Sequence, residues 1–254
     1  MTVLVGSLGG FLFGYDTSVI AGAKLYFDED FEGITNLEKE VIVSMTLLGA
    51  AFGSLLGGPV ADKFGRRLTI LLADILFLVG CIVMAITPSI PILVVGRFIV
   101  GLGVGVAAMV VPIYLAEIAP KNIRGTLVNL NVVFIATGQF LALVVCLALG
   151  NRWRWMLGLA GIPAILQGVG ILFMSESPRW LFIKGRNQEA IKAIQKIYNE
   201  SIENLEPIID EQMAEVRTVR EYDHYTYFES IKQLFTTFRR CLIVGCGIQM
   251  FQQL

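Results

Sequence analysis

The sequence predicts an all-helical membrane protein with six transmembrane helices. Hydrophobic residues make up 55% of the chain and charged residues 16%, and the mean hydropathy is +0.69. These values are typical of a chain that crosses a bilayer several times. The charged residues also cluster between long apolar runs, and a helix needs a run of about 20 residues to cross the hydrocarbon core.

Six apolar runs are long enough to span a membrane as helices. They cover Thr2–Ala23, Val41–Ala61, Leu68–Thr87, Ile92–Leu115, Leu127–Leu149 and Trp155–Met174. A seventh run begins near Cys241 and is too short to span before Leu254. We therefore expect a fragment of a longer protein, with a six-helix bundle at 1–174, a linker at 175–240 and the beginning of a seventh helix at 241–254.

The first two spans carry glycine at every fourth residue, which lets helix backbones approach closely in a membrane. These glycines are Gly6, Gly10 and Gly14 in span one and Gly49, Gly53 and Gly57 in span two. A phosphate-binding loop at Gly101–Gly105 is excluded because no strand precedes it. Span one also resembles a signal peptide at Ala21–Ala23, but it lacks a basic start and carries Asp16.

The distribution of lysine and arginine predicts a cytoplasmic N-terminus. Basic residues follow spans two, four and six, whereas the connection after span one is acidic. Basic loops remain on the cytoplasmic side, although Arg152 and Arg154 on the opposite side weaken the bias. Within the cytoplasmic linker, apolar residues at helical spacing from Ala190 to Ile197 predict short amphipathic helices. Glu200–Glu221 has a similar pattern, with a solvated linker as the alternative for its least apolar part.

Two charges inside the apolar runs fall at a similar depth. Asp16 lies ~10 Å from the outer end of span one and Arg97 ~8 Å from the outer end of span four, by helical rise. A charge inside a membrane needs a partner, so we expect an ion pair. Protonation of Asp16 would weaken the pair and release Arg97, which predicts a proton-coupling switch. A purely structural ion pair is the alternative.

A second layer of charge lies at the cytoplasmic ends of the spans. Its members are Asp62, Arg66 and Arg67 after span two and Glu117 and Arg124 after span four. Clusters of mixed sign at helix ends predict a cytoplasmic gate that opens when helices rock. The alternative is a set of positive-inside residues with incidental counterions.

Asp74 in span three is expected near this inner layer, with no partner that the sequence identifies.

Polar amides near the midplane of the spans predict a site for a hydroxyl-rich ligand. Amides donate and accept hydrogen bonds without charge, and contact between helices is the alternative role. The amides are Asn131, Gln139, Gln167, Gln249, Gln252 and Gln253. An enzyme is not expected, because no nucleophile and base are paired and His224 lies in a polar segment. No cofactor is expected, and a net charge of −1 gives no sign of a nucleic-acid partner.

Several motifs resemble the sugar-transporter branch of the major facilitator superfamily. Gly58–Arg67 (GPVADKFGRR) is similar to its loop motif, and Ile99–Gly105, Tyr114, Glu117 and Arg124 match its fourth-span pattern. Ser175–Leu181 (SESPRWL) resembles the motif after span six, with Ser where the family usually has Pro. The resemblance implies 3+3 inverted helical repeats, a coupling role for Asp16 and Arg97, gate roles for Glu176 and Arg179, and sugar binding by Gln252 and Gln253.

Within that branch, four short runs look most like the proton-coupled inositol transporters. They are Leu71–Asp74, Asn131–Val132, Gly138–Phe140 and Trp153–Gly158. Leu143 and Cys146 differ from many relatives, so a hexose or pentose stays as the alternative substrate.

The resemblance implies symport of a polyol or monosaccharide with a proton across a lipid bilayer. A plasma-membrane location is expected, with an endomembrane as the alternative. A fragment with one bundle is not expected to transport alone, unless a second copy or another half completes the cavity. A proton-independent facilitator and a transporter-like sugar sensor are the competing functions.

Overall fold

A computed structural model describes residues 2–31, 33–119, 124–198, 205–210, 212–214, 216, 236, 239 and 243–244. Its regular elements are helices: α1 (Thr2–Ala23), a 3₁₀ turn (Lys24–Tyr26), α2 (Phe27–Asp30), α3 (Asn36–Phe64), α4 (Arg66–Ala85), α5 (Ile90–Ile118), α6 (Arg124–Leu149), α7 (Trp153–Leu159), α8 (Gly161–Leu172), α9 (Pro178–Ile183) and α10 (Asn187–Tyr198). The chain divides into two compact units, residues 1–202 and 203–254. In the second unit, residues 205–210 are helical.

The six predicted spans correspond to the long helices of the first unit. Five segments among the described residues are long and apolar enough to cross a membrane: Asn36–Phe64, Arg66–Ala85, Ile90–Ile118, Gly125–Leu149 and Trp153–Leu172. They match spans two to six. Helix α1 matches span one and has 22 residues, so it is about 33 Å long and also reaches across a hydrocarbon core. The all-helical membrane fold is confirmed.

Helix α3 begins at Asn36, earlier than the predicted Val41, because a capping box precedes it. The Thr35 hydroxyl accepts a hydrogen bond from the Glu38 N–H at 3.3 Å, and the Glu38 carboxylate accepts one from the Thr35 N–H at 2.8 Å. These two bonds satisfy N–H groups that have no acceptor within the helix. The helix therefore extends into polar sequence, which a hydropathy argument leaves out.

Span six is broken into α7 and α8, whereas the sequence predicts a single run. Pro163 has no N–H to donate to the carbonyl of Leu159, which is the last residue of α7. The Ala160 N–H instead bonds to the carbonyl of Gly158. The predicted span is therefore present as Trp153–Leu172, and a turn at Ala160 divides it into two helical pieces.

Helix α5 is the central helix of the bundle and contacts α1, α3, α4 and α6. Span one (α1) packs along span five (α6), and span two (α3) packs along span four (α5). In a bundle of two repeated halves, a two-fold axis exchanges span one with span four, span two with span five, and span three with span six. This axis therefore exchanges the pair of spans one and five with the pair of spans four and two. This is the pairing expected of inverted three-helix repeats.

Five of the six predicted stripe glycines lie in these two close pairs of helices, and Gly6 instead faces Leu115 of α5. A Cβ atom at Gly14 of α1 would clash with the backbone of Ile135 on α6. A Cβ atom at Gly53 of α3 would clash with the backbone carbonyl of Leu102 on α5, and Gly105 of α5 meets Ala50 of α3 in the same way. Lipid chains are as apolar as leucine, so this close backbone contact supplies much of the attraction between the helices.

The bundle has two ends, which we name after the short helices found there. The α2 end holds the last turns of α1, α4 and α6 and the first turn of α5. The α9 end holds the last turns of α3, α5 and α8, the first turn of α4, and the helices α9 and α10. Ala190 and Ile194 on α10 are buried, as the amphipathic pattern predicts.

Replacing Gly105 with alanine is expected to destabilise the bundle. The new methyl group would overlap the backbone carbonyl of Ala50, which cannot move without separating α3 from α5. Overpacking of this kind costs about 1–3 kcal/mol. Thermal unfolding of the detergent-solubilised protein measures the effect. The matched control is Gly58→Ala on α3, whose methyl group would meet only the terminal methyl of Met109 at 3.4 Å. Equal melting temperatures for both variants would contradict the packing argument.

Candidate functional site

Asp16 on α1 and Arg97 on α5 form an ion pair inside the bundle. Nη1 of Arg97 donates hydrogen bonds to both carboxylate oxygens of Asp16, at 3.0 and 3.1 Å. Asp16 is 3% exposed and Arg97 is 0% exposed. Both residues lie about two turns from the α2 end of their helices. The contact that the depth comparison predicts is therefore confirmed.

The guanidinium of Arg97 has few partners apart from Asp16. Its Nε and Nη2 atoms are buried and have no hydrogen-bond partner among the described residues. A buried donor without an acceptor costs about 1–3 kcal/mol. Loss of the charge on Asp16 would therefore leave the whole guanidinium without a strong acceptor on this part of the chain. Among the described residues, the carboxylate of Asp16 is therefore the hydrogen-bond acceptor that holds Arg97.

Tyr15 attaches α1 to α7 beside this pair. Its hydroxyl donates a hydrogen bond to the carbonyl of Met156 at 3.0 Å. Met156 lies in the short helix α7, three residues before its end at Leu159. The N–H of Ala160 bonds to Gly158 rather than to Met156, so it does not compete for the Met156 carbonyl. The bond holds the turn of α1 that carries Asp16. No sequence pattern predicts this contact, because it depends on the break in span six.

At the α9 end, Arg66 connects α3, α4 and α5. Its Nε and Nη2 atoms donate to the two carboxylate oxygens of Glu117 at 3.0 and 3.1 Å. Its Nη1 atom donates to Asp62 at 3.2 Å and to the carbonyl of Ala61 at 3.1 Å. Paired hydrogen bonds between an arginine and a carboxylate are the stronger kind. The side chain of Glu117 is 8% exposed, while that of Asp62 is 77% exposed, so the bond to Glu117 contributes most.

Glu176 caps the start of α4 from the segment before α9. Its carboxylate accepts hydrogen bonds from the backbone N–H groups of Arg66 and Arg67, at 3.0 and 3.1 Å, and from that of Ser177 at 2.9 Å. A carboxylate at a helix N-terminus is favoured by the free N–H groups and by the helix dipole. The sequence predicts Glu176 as a gate residue but gives no sign that it binds backbone atoms.

Gly65 lies directly under this carboxylate and joins α3 to α4. Its φ angle is +96°, a conformation that favours glycine, and a Cβ atom there would clash with Glu176. Arg67 next to it reaches the other way, from α4 to the end of α8. Its guanidinium donates to the carbonyls of Ile171 at 3.0 Å and Leu172 at 2.5 Å. These two carbonyls lie at a helix C-terminus, where a cation is favourable.

Two further contacts join α9 and the segment before it to the same end. The Tyr114 hydroxyl donates to the carbonyl of Ser175 at 2.7 Å, and Nε1 of Trp180 donates to the carbonyl of Asp62 at 3.0 Å. Of the other predicted gate residues, Arg179 is half-buried on α9. Arg124 is the first residue of α6, and its side chain lies outside the described residues.

The predicted amide site is described only in part. Gln139 is exposed on α6. Asn131, two turns earlier, is half-buried against Gly10 of α1, and its Oδ1 atom is buried without a hydrogen-bond partner among the described residues. Gln249, Gln252 and Gln253 lie outside the described residues.

Gln167 and Asp74 are buried polar groups in the packing around α8. Gln167 is 0% exposed and lies against Gly9 of α1, and both its amide atoms lack a hydrogen-bond partner within the described ranges. Asp74 on α4 is 5% exposed and faces Gly168, and its Oδ2 atom also lacks a partner there.

Comparison with known proteins identifies the family. The family model for "Sugar (and other) transporter" matches residues 2–254. The chain belongs to the sugar transporter family. It is 47% identical over 253 residues to "Probable inositol transporter 2" of Arabidopsis thaliana, covering 97% of this chain and 43% of that protein. It is 42% identical over 264 residues to the "Proton myo-inositol cotransporter" of Homo sapiens, covering 100% of this chain and 40% of that protein.

A solved structure supports the same fold. The structure of the major facilitator superfamily proton:xylose symporter XylE, bound to 6-bromo-6-deoxy-D-glucose, matches with a TM-score of 0.79 and 30% identity. The match covers 87% of this chain and 54% of that chain. The resemblance found in the motifs is thus confirmed, and the family is one of transporters rather than enzymes. The chain spans about half the length of the relatives that it matches or less.

Replacing Asp16 with leucine is expected to destabilise the protein more than replacing both members of the pair. The single change leaves Arg97 charged and buried, at a cost of about 3–5 kcal/mol. In the double variant Asp16→Leu/Arg97→Met no charge remains, so part of that loss should be recovered. Thermal unfolding in detergent of the two variants measures the difference. If the double variant melts at or below the temperature of the single variant, the two charges do not depend on each other.

Proposed function

We propose that this chain is the first helical bundle of a proton-coupled polyol transporter, with myo-inositol as the substrate, which works by alternating access. The observation that carries the proposal is the buried ion pair between Asp16 and Arg97. A pair of this kind inside a membrane is costly, and intramembrane charges mark ion and proton pathways. The two inositol-transporter relatives support the choice of a polyol.

The geometry of the pair supports proton coupling. With Asp16 ionised, its carboxylate holds Nη1 of Arg97 and keeps α1 and α5 together. When Asp16 takes a proton from the α2 side, the electrostatic attraction falls and the guanidinium seeks other acceptors. Release of the proton on the other side restores the pair. A proton therefore moves once in each transport cycle, and the position of Arg97 reports which half of the cycle the protein is in.

Substrate binding is assigned to the amides of the bundle and of the seventh helix. Gln139 and Asn131 on α6 provide hydrogen-bond donors and acceptors for hydroxyl groups, and Gln249, Gln252 and Gln253 are proposed to complete the site. In transporters with repeated bundles the substrate binds between the bundles near the midplane. The exposed amide of Gln139 is consistent with a position on such a cavity. D-Xylose is the alternative substrate, because the XylE symporter has the same fold.

The charge network at the α9 end is proposed to be the cytoplasmic gate. The ends of several helices are joined by Asp62, Arg66, Arg67, Glu117 and Glu176. Arg124 and Arg179 are added to the proposed gate because of their positions in the sequence. The distribution of basic residues supports a cytoplasmic N-terminus, so that the α9 end faces the cytoplasm. The plasma membrane is the proposed location. When the bundles rock, this network is the part that must rearrange.

Replacing Asp16 with asparagine is expected to abolish inositol-driven proton movement. Asparagine keeps the size of the side chain but cannot carry the charge that Arg97 requires. The test uses the complete two-bundle transporter in proteoliposomes, with radiolabelled myo-inositol outside and a pH-sensitive dye inside. The matched control is Asp28→Asn, which removes an exposed carboxylate bonded to Lys39 near the α2 end. Proton movement that survives in Asp16→Asn, or equal uptake with and without a pH gradient in the unchanged protein, would refute symport.

Replacing Gln139 with alanine is expected to raise the KM for myo-inositol about fivefold or more, since one good hydrogen bond to a hydroxyl group contributes about 1 kcal/mol or more. Thr137→Ala on the same helix is the control, because Thr137 donates only to the carbonyl of Val133 in its own helix. Uptake rates of each variant over a range of substrate concentrations give its KM for myo-inositol and its KM for xylose. An unchanged KM for Gln139→Ala would remove Gln139 from the binding site.

A further inference from the structure

A cleft of about 520 Å³ opens at the α9 end between α10 and the ends of α4 and α8. Four basic side chains line it: Arg67, Arg186, Lys192 and Lys196. Two acidic side chains, Glu176 and Glu189, also line it. All the residues that line the cleft are described residues of the first unit. It is separate from the ion pair and from the proposed substrate amides.

The acidic side chains in this cleft are already engaged. Glu176 accepts the backbone N–H groups at the start of α4, as described above. Glu189 accepts two hydrogen bonds from Arg186, at 2.7 and 2.6 Å. These bonds raise the pKa of Arg186, so its guanidinium stays charged. The cleft therefore keeps an excess of positive charge.

Lys192 and Lys196 supply the cations that can reach a ligand. They lie one helical turn apart on α10 and therefore share a face of that helix. Lys196 donates one hydrogen bond to the carbonyl of Phe173 at 2.9 Å, which places its ammonium group at the end of α8. An ammonium group has three N–H donors, so two others remain for an anion. The two lysines thus present several donors to the cleft.

The other walls of the cleft are apolar and belong to membrane-spanning helices. Leu68 on α4 is 46% exposed, and Leu172 at the end of α8 is 53% exposed. Phe64, at the end of α3, also lines the cleft and is 49% exposed. Leu72, one turn beyond Leu68, is exposed as well and continues the apolar surface along α4. A ligand that fills this cleft meets cations on α10 and a hydrocarbon surface on α4 and α8.

We propose that the cleft binds an anionic glycerophospholipid. The phosphate lies between Lys192, Lys196 and Arg186, and the acyl chains lie along Leu68 and Leu172. Basic pockets beside transmembrane helices on the cytoplasmic side select anionic headgroups, and the stems of lysine and arginine lie along apolar surface while their charges reach the headgroup. A soluble phosphate would match the cations but would leave the apolar wall uncovered. The cleft shares Arg67 and Glu176 with the proposed gate, whereas the proposed phosphate ligands belong neither to the gate nor to the Asp16–Arg97 pair. Lipid binding there goes beyond the proposed transport activity.

Native mass spectrometry of the delipidated protein in detergent tests the proposal. Dioleoyl phosphatidylglycerol is expected to bind at least tenfold more tightly than dioleoyl phosphatidylcholine. The variant Lys192→Gln/Lys196→Gln should lose most of that preference. The matched control, Lys63→Gln/Lys184→Gln, removes the same charge from exposed lysines at the same end that do not line the cleft, and its preference should be unchanged. Glycerol phosphate, which has no acyl chains, should not compete at equal concentration.

Each contrary result overturns the lipid site. Equal binding of the two lipids removes the anion preference, and equal losses in both double variants show a general charge effect. Competition by glycerol phosphate identifies the ligand as a free phosphate instead. A photoreactive phosphatidylglycerol on the unchanged protein gives an independent measurement that does not depend on folding of a variant. Crosslinks are expected at Leu68, Leu172 or α10, and crosslinks confined to other regions would refute the assignment. Because no transport is measured, failure here leaves the symport proposal standing.

Discussion

The cost of a charge in hydrocarbon organises this bundle. Three arginines inside or at the edge of the described spans have a carboxylate or a set of carbonyls within hydrogen-bond distance: Arg97 has Asp16, Arg66 has Glu117, and Arg67 has the end of α8. These contacts connect different helices, because a helix cannot satisfy a buried charge with its own backbone. Asp74 is the exception in the described part of the chain, since its Oδ2 atom is buried without a hydrogen-bond partner there.

Close glycine contacts accompany the polar contacts in this bundle. A short carboxylate such as Asp16 reaches an arginine on another helix only if the backbones come close. Gly14 and Gly53 allow that approach at the interfaces of α1 with α6 and of α3 with α5. Arg97 near one end and Glu117 near the other both lie on α5, with Pro112 inside the helix between them. Helix α5 therefore connects the two layers of charge.

Much of this arrangement follows from the sequence, and the remainder depends on contacts that have no local pattern. The number and order of spans follow from hydropathy, and the meeting of Asp16 with Arg97 follows from helical rise. The capped start of α3 and the break before Pro163 differ from the predicted runs, since hydropathy does not register hydrogen bonds. The role of Glu176 was also not predictable in detail, because its partners are backbone N–H groups more than a hundred residues away. The end of one helix meets the cap from a distant segment only in the folded chain, so a cap of this kind depends on tertiary structure.

The joint at Gly65 restricts how the bundle can move. A single residue between two helices leaves one φ and one ψ angle as the adjustable variables, and φ is held at +96°. Glu176 binds the next two N–H groups. A change in the angle between α3 and α4 therefore has to turn the backbone at Gly65 and break the bonds of Glu176 together. Opening of the proposed gate and a change in this angle would in this way be one event.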